Sequence, residues 1–180
     1  MTQRRGLTRD QVLDAALDLA DAQGLDAVSM RGVAARLEVT PMALYRHVGD
    51  KDALLDGLVE RLLAEVGVPP GDLPWWDRLE RQAMLLRAVA QRHPATFGLL
   101  LARPATAGGL HARDAALVAL AEAGVPADDV PRLERLLSTF VLGFATSEVA
   151  GRFPDPGRAD QDFAYALRLL RQVVEAAAAT

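Results

Sequence analysis

The sequence contains no cysteine. Disulfides, zinc–thiolate centres and thiol nucleophiles are therefore outside its chemistry. Histidine is almost as scarce. His47, His93 and His111 are the three present, far apart in sequence, and none falls in an H-E-x-x-H spacing. No metal and no cofactor is expected. Runs of β-branched residues are scarce, while alanine and leucine dominate, so helix is expected almost throughout. No apolar run is long enough to span a bilayer. The opening stretch MTQRRGLTRD has no apolar segment of the signal-peptide kind. The expectation is a cytoplasmic protein without membrane contact.

What is present is a chain of 180 residues, 51% of them hydrophobic. That is enough to bury a real core, and long enough for a small head and a larger body. The formal net charge is −4, so any nucleic-acid binding must come from a local patch. The polar arm MTQRRG carries Arg4 and Arg5, which can reach a minor groove or lie solvated. Thr8 and Gln11 then form a capping box. Val12, Ala15, Ala16, Leu19 and Ala20 repeat at helical spacing, with Asp14, Asp18 and Asp21 on the wet face. Gly24 closes this helix.

Ser29 caps a second, short helix reaching Leu37. After the turn at Glu38-Val39, Thr40 caps a third helix and Pro41 takes its first position, where a missing N–H costs nothing. Gly49 breaks that helix, and Asp50 caps a fourth carrying Ala53, Leu54, Leu58, Leu62 and Val66. VGVPPGDLP (66–74) is the clearest linker. A long helix from Trp75 ends near His93-Pro94, and a short helical piece covers 95–102. Gly108-Gly109 marks a loop before a helix over 110–123. The stretch 130–150 is apolar nearly all round, so it must be covered on more than one side. The last helix carries Phe163, Ala166, Leu167, Leu170 and Val174.

Two short helices joined by a tight turn satisfy the helix-turn-helix pattern. A recognition helix needs small or polar residues at the end that faces base edges, and Thr40, Pro41, Met42 and Ala43 supply them. It needs an apolar inner face, which Leu44 and Val48 supply. It needs donors to phosphate at its flanks, which Tyr45, His47 and Lys51 supply. Arg31 has the fork geometry that reads guanine in the major groove. Met42 and Ala43 offer no hydrogen bonds and can meet only apolar surface such as a thymine methyl.

The stretch SMRGVAARLEVTPMALYRHVGDKDALLDGL closely resembles the DNA-binding head of the TetR family. The run L-Y-x-H-V, followed by Lys51 and Ala53-Leu54-Leu55, carries the likeness. The resemblance implies phosphate contacts from Tyr45, His47 and Lys51, and base-side positions at Arg31, Thr40, Pro41, Met42 and Ala43. One departure is Glu38, where the family commonly has glycine; a side chain there calls for an unusual backbone angle.

The body resembles the family's tetracycline-repressor type of C-terminal domain, in the order Trp75, Ala83-Met84, Arg103-Pro104, Leu142-Gly143. The fold class implied is all-α: an N-terminal three-helix helix-turn-helix head (1–50), a connecting fourth helix (50–66), and a larger helical ligand-binding and dimerisation domain (67–180). A homodimer is expected, with Leu133, Leu137, Val141, Phe163, Leu167 and Leu170 at the pairing face. A ligand cavity is expected to be lined by Gln82, Met84, Arg87, Gln91, Phe97, Leu101, Phe140 and Phe144. In that type of domain, imidazoles hold a magnesium–drug complex. Gln82 matches a drug-contacting asparagine, but the metal-ligating histidine falls near Leu99 and another drug-contacting histidine near Gly67, and leucine and glycine side chains cannot ligate a metal. A more apolar organic effector is expected instead.

Double-stranded operator DNA, a small organic effector and a second copy are thus the expected partners, in a repressor released from a palindromic operator. The alternative is a helical protein-interaction module without DNA binding. An enzyme is not expected, because Ser138, Ser147 and the three histidines show no triad spacing and the acids lie on wet faces.

Overall fold

The computed structural model describes residues 6–103 and 107–180, the latter without the side chains of 107–109. Arg4 and Arg5 lie outside the described residues. The elements are α1 (Arg9–Gln23), α2 (Met30–Arg36), α3 (Pro41–Val48), α4 (Lys51–Val66), α5 (Trp75–Arg92), α6 (Pro94–Phe97), α7 (Leu99–Ala102), α8 (Ala107–Glu122), α9 (Val130–Val149) and α10 (Ala159–Ala178). Two 3₁₀ turns, Leu25–Ala27 and Pro156–Arg158, complete them. No strand occurs among the described residues.

The chain forms two compact units. One comprises Met1–Leu62 with His93–Pro104, the other Leu63–Arg92 with Ala105–Thr180. The division is therefore not sequential: the segment 93–104, expected in the body, belongs to the first unit. Two side chains show why. Phe97 is fully buried, on a helix that contacts α1, and His93 Nδ1 lies 2.7 Å from Asp21 Oδ2.

In the first unit, α1 starts at the capping box. The Thr8 hydroxyl accepts from the Gln11 N–H at 3.2 Å, and the Gln11 side chain accepts from the Thr8 N–H at 3.0 Å. Its inner face buries Val12, Leu13, Ala15, Ala16, Leu17, Leu19 and Ala20. Each of the larger side chains contributes about 1.5–3 kcal/mol on burial. Helices α2 and α3 both pack on α1. Gly57 lets α4 approach it: a Cβ there would come 2.4 Å from Leu13 Cδ2. Ser29 caps α2 by accepting from the Gly32 N–H at 3.0 Å, and Asp50 caps α4 by accepting from the Ala53 N–H at 2.9 Å.

In the second unit, α5, α8 and α9 pack on one another and α10 packs on α9. Helix α8 begins at Ala107. Gly108-Gly109 is thus part of its first turn rather than the expected loop. The core holds Trp76, Leu79, Ala119, Leu120, Leu133, Val141, Phe163 and Leu167. Four of the six residues expected at the pairing face, Leu133, Val141, Phe163 and Leu167, are therefore spent inside the chain's own core. Leu137 and Leu170 are half-buried against it. The inward sides of α9 and α10 are the more continuously apolar, which drew the expectation to them. The apolar side chains left outside are Leu136 on α9 and Tyr165, Leu169 and Val173 on α10.

Candidate nucleic-acid interface and ligand clefts

Helix α3 is amphipathic in the narrowest way. Leu44 and Val48, one turn apart, are buried and lock it onto the unit. Pro41, Met42, Tyr45 and Arg46 then share the opposite face, and all four are exposed. Met42 is 72% exposed and Tyr45 48%. Ala43 and His47 are half-buried at the flanks. Thr40 occupies the N-cap with extended backbone, but its side chain makes no capping hydrogen bond; with Pro41 at the first position one N–H is already absent. Arg31 is exposed on the first turn of α2, and Lys51 is exposed at the start of α4.

The turn between α2 and α3 has the geometry that the sequence raised. Glu38 has φ 55°, the only positive value at a non-glycine among the described residues. The Glu38 N–H donates to the Ala35 carbonyl at 3.2 Å, and the Val39 N–H donates to the Ala34 carbonyl at 3.0 Å. This pair of bonds closes α2 in a Schellman motif, whose left-handed position is usually glycine.

Charge in this unit is sorted by location. Arg9 pairs with Glu60 at 2.8 Å, Arg36 with Asp18 at 3.2 Å, Arg61 with Asp14, and Arg103 with Asp52 at 2.7 Å and with Asp56. Among the described residues, Arg31, Arg46 and Lys51 have no acid within ion-pair reach, and the hydroxyl of Tyr45 and the ring of His47 make no hydrogen bond. The described cations of this unit with open valences are thus those on and next to α3. Arg46 was missed by the sequence reading. Its signal was available, since it stands four residues after Met42 and so on the same helical face.

Two clefts lie among the described residues of the second unit. One, of about 380 Å³, is lined by Phe140, Phe144, Ser147, Phe153, Arg158 and Asp162 among others. The other, of about 300 Å³, lies between the α4–α5 connection, α5 and α8, and includes Gln82. Of the eight residues expected to line one cavity, Phe140 and Phe144 reach the first cleft and Gln82 the second. Met84 is half exposed on α5 and lines neither. Phe97 and Leu101 sit in the first unit, because the chain returns there at His93.

Arg87 and Gln91 are held by an acid that the sequence reading passed over. Arg87 Nε donates to Glu148 Oε2 at 2.7 Å, and its Nη2 donates to Glu148 Oε1 at 2.6 Å and to Asp160 at 2.7 Å. Gln91 Nε2 donates to Glu148 Oε1 at 3.0 Å. The guanidinium lies 4.9 Å from the Phe163 ring centre and 5.8 Å from that of Phe144, within cation–π range. The hydrogen bond to Glu148 raises the Arg87 pKa further than burial lowers it. In return, the bond from Arg87 holds the Glu148 carboxyl below its ordinary range. An acid in the apolar C-terminal half of α9, where no other stands, was the signal for such a partner.

An exposed short helix ringed by free cations, carried on capped supporting helices and followed by a separate helical body, defines a helix-turn-helix regulator. Residues 12–58 match the model for bacterial regulatory proteins of the tetR family. Residues 69–176 match the tetracyclin repressor-like C-terminal domain. An HTH-type transcriptional regulator of Saccharopolyspora erythraea is 34% identical over 151 residues, spanning 83% of this chain and 64% of that protein. The chain therefore covers slightly less than two thirds of that relative's length. The class A tetracycline repressor protein from transposon 1721, of Escherichia coli, is 38% identical over 155 residues, spanning 81% of this chain and 68% of that protein. Among solved structures, BioQ of Mycobacterium smegmatis with its double-stranded DNA operator superposes with a TM-score of 0.81 at 28% identity, covering 94% of this chain and 99% of that one. ActR of Streptomyces coelicolor in complex with actinorhodin gives a TM-score of 0.81 at 25% identity, covering 97% and 96%. This chain belongs to the TetR family of bacterial regulatory proteins. Its relatives are transcription regulators, not enzymes.

Proposed function

We propose that the protein binds a palindromic operator as a homodimer, represses transcription there, and is released by a small organic effector. The observation that carries the DNA reading is the sorting of charge: Arg31, Arg46 and Lys51 are free and stand around α3, while Arg9, Arg36, Arg61 and Arg103 are each answered by an acid. Free cations can release counterions from phosphate; paired ones must first break a bond. In this reading Tyr45, Arg46, His47 and Lys51 hold the backbone. Arg31 reads a guanine, and Thr40, Pro41, Met42 and Ala43 meet base edges, with Met42 suited to a thymine methyl.

Pairing uses the outward apolar residues, Leu136 with Tyr165, Leu169 and Val173. The last three stand four residues apart along one face of α10. Two copies present two recognition helices, which is why the operator is palindromic. An effector acts by favouring a conformation in which the two heads no longer match successive grooves. The effector is organic and not a magnesium–tetracycline complex, since Leu99 and Gly67 carry no ligating atom. BioQ bound to its operator and ActR bound to actinorhodin support the two halves of this reading by likeness.

The test is selection of bound duplexes from a random pool, followed by affinity measurements over a salt series. A palindromic consensus and a steep loss of affinity with salt are expected. Absence of duplex binding, or binding indifferent to salt, would leave the chain as a helical protein-interaction module.

A further inference from the structure

The 300 Å³ cleft of the second unit has a polar arrangement that restricts what can enter it. Its mouth is apolar: Val68 and Val118 are 55% and 52% exposed, while Leu79 is buried at its wall. Arg78 also lines it and is only 8% exposed. The Arg78 Nη2 donates to Glu122, but its Nε is buried without a hydrogen-bond partner. Nε has no accessible surface as it stands; a buried donor left unmade is costly, so a ligand oxygen that draws the Arg78 side chain toward the cleft would recover that cost. Gln82, which also lines the cleft, donates its amide to the Ala112 carbonyl at 3.0 Å, which leaves its side-chain oxygen free to accept. Asp114 lines the cleft, is exposed, and has no cation within ion-pair reach among the described residues.

The charges do not cancel. Arg78 is already answered by Glu122, whereas Asp114 is answered by nothing. An anionic ligand would meet Asp114 uncompensated, and an ammonium would pair with it. The larger cleft differs: its acids Asp155 and Asp162 share it with Arg158, and none of its lining charged groups is buried.

We propose that the cleft between the α4–α5 connection, α5 and α8 takes a small apolar compound bearing both a protonated amine and a hydroxyl or carbonyl oxygen. The amine pairs with Asp114 and Gln82, the oxygen accepts from Arg78 Nε, and the apolar body lies against Val68, Leu79 and Val118. The inference rests on the effector reading and adds the chemistry of the ligand.

Three probes of one shape separate these contributions in the full-length protein: 2-naphthylmethylamine, 2-naphthol and 2-naphthoate. Affinity is read by calorimetry and location by backbone amide shifts of Gln82 and Ala115. The amine is expected to bind about tenfold more tightly than the carboxylate. Asp114→Asn should erase that ratio. Arg78→Lys keeps a cation for Glu122 but removes the Nε donor, so it should weaken 2-naphthol several-fold and leave the amine unchanged. Circular dichroism checks that both variants fold. Equal or tighter binding of 2-naphthoate, a ratio that survives Asp114→Asn, or shifts absent from Gln82 and Ala115 would overturn the proposal. Operator release is scored separately on a selected duplex. Release by a compound whose binding ignores Asp114→Asn would retain the effector reading and overturn this cleft as its site.

Discussion

In the first unit, Arg31, Arg46 and Lys51 stand exposed with no acid in reach. In the second, the Arg87 side chain is 7% exposed and bonded to Glu148, to Asp160 and against two rings. The same residue type thus serves opposite ends. A buried arginine ion-paired to two acids serves to fix helices: Arg87 joins α5 to α9 and α10. An unsaturated, exposed one contributes little to folding and retains its charge for a partner. Arg87 and Gln91 sit beside aromatic residues, yet both donate to Glu148 and so tie α5 to α9.

The largest effect that can break this comparison is on stability. Arg87→Ala leaves Glu148, whose side chain is 15% exposed, without its main partner, and should cost about 3–5 kcal/mol in urea denaturation. Asp160 is 87% exposed, so Asp160→Ala should cost at most about 1 kcal/mol. Replacing the pair together, Arg87→Met with Glu148→Leu, should restore most of the loss. The pH dependence follows from the signs. Glu148 is held below its ordinary range in the folded chain. Its contribution is therefore complete above that range and lost as pH falls through it. Arg87 is raised and would lose its contribution only at alkaline pH beyond any working range. Glu148→Gln should flatten the acid limb alone. An Arg87→Ala cost no larger than that of Asp160→Ala would show the network to be ornamental.

Next in size is discrimination between bases. On the proposed interface, Arg31→Ala should lose about 1–3 kcal/mol of preference at one base pair, measured across a panel of single-substitution operators. Lys51→Ala and Arg46→Ala should act differently, weakening all duplexes alike and lowering the salt slope by about 1 each. Arg36→Ala is the internal control. Arg36 is also exposed on α2 but paired with Asp18, so the slope should stay unchanged. Equal slopes for Arg36→Ala and Lys51→Ala would mean that pairing does not sort these cations.

The elements of the head were legible because their signals are local. The capping box at Thr8 and Gln11, the caps at Ser29 and Asp50, and Pro41 each act within one turn, and each appears where the sequence puts it. The helical class and the family were legible for the same reason. What was not legible depended on contacts distant in sequence. Nothing near Phe97 announces that the chain returns to the first unit at His93. Nothing near Leu133 or Phe163 tells an apolar face turned to the chain's own core from one turned outward, since both look alike in helical spacing. Arg87 and Glu148 are 61 residues apart, so the ion pair that holds this arginine could not be read from its neighbours in sequence.

The smallest effect falls on Glu38, where local signal and local structure agree on an awkward feature. Its φ of 55° places it in the left-handed region, which costs a side-chain-bearing residue roughly 1–2 kcal/mol. Glycine removes that cost but adds freedom to the unfolded chain, worth about 0.4–1 kcal/mol against it. Glu38→Gly should therefore stabilise the protein by about 0.5 kcal/mol net, raising the melting temperature slightly. It also removes a negative charge beside the free cations, so duplex affinity should rise, more at low salt than at high. Glu38→Gln separates the two effects, because it removes the charge and keeps the backbone strain. It should reproduce the gain in affinity without the gain in melting temperature. If Glu38→Gln melts as high as Glu38→Gly, the cost at this turn is electrostatic and the left-handed backbone is borne without penalty.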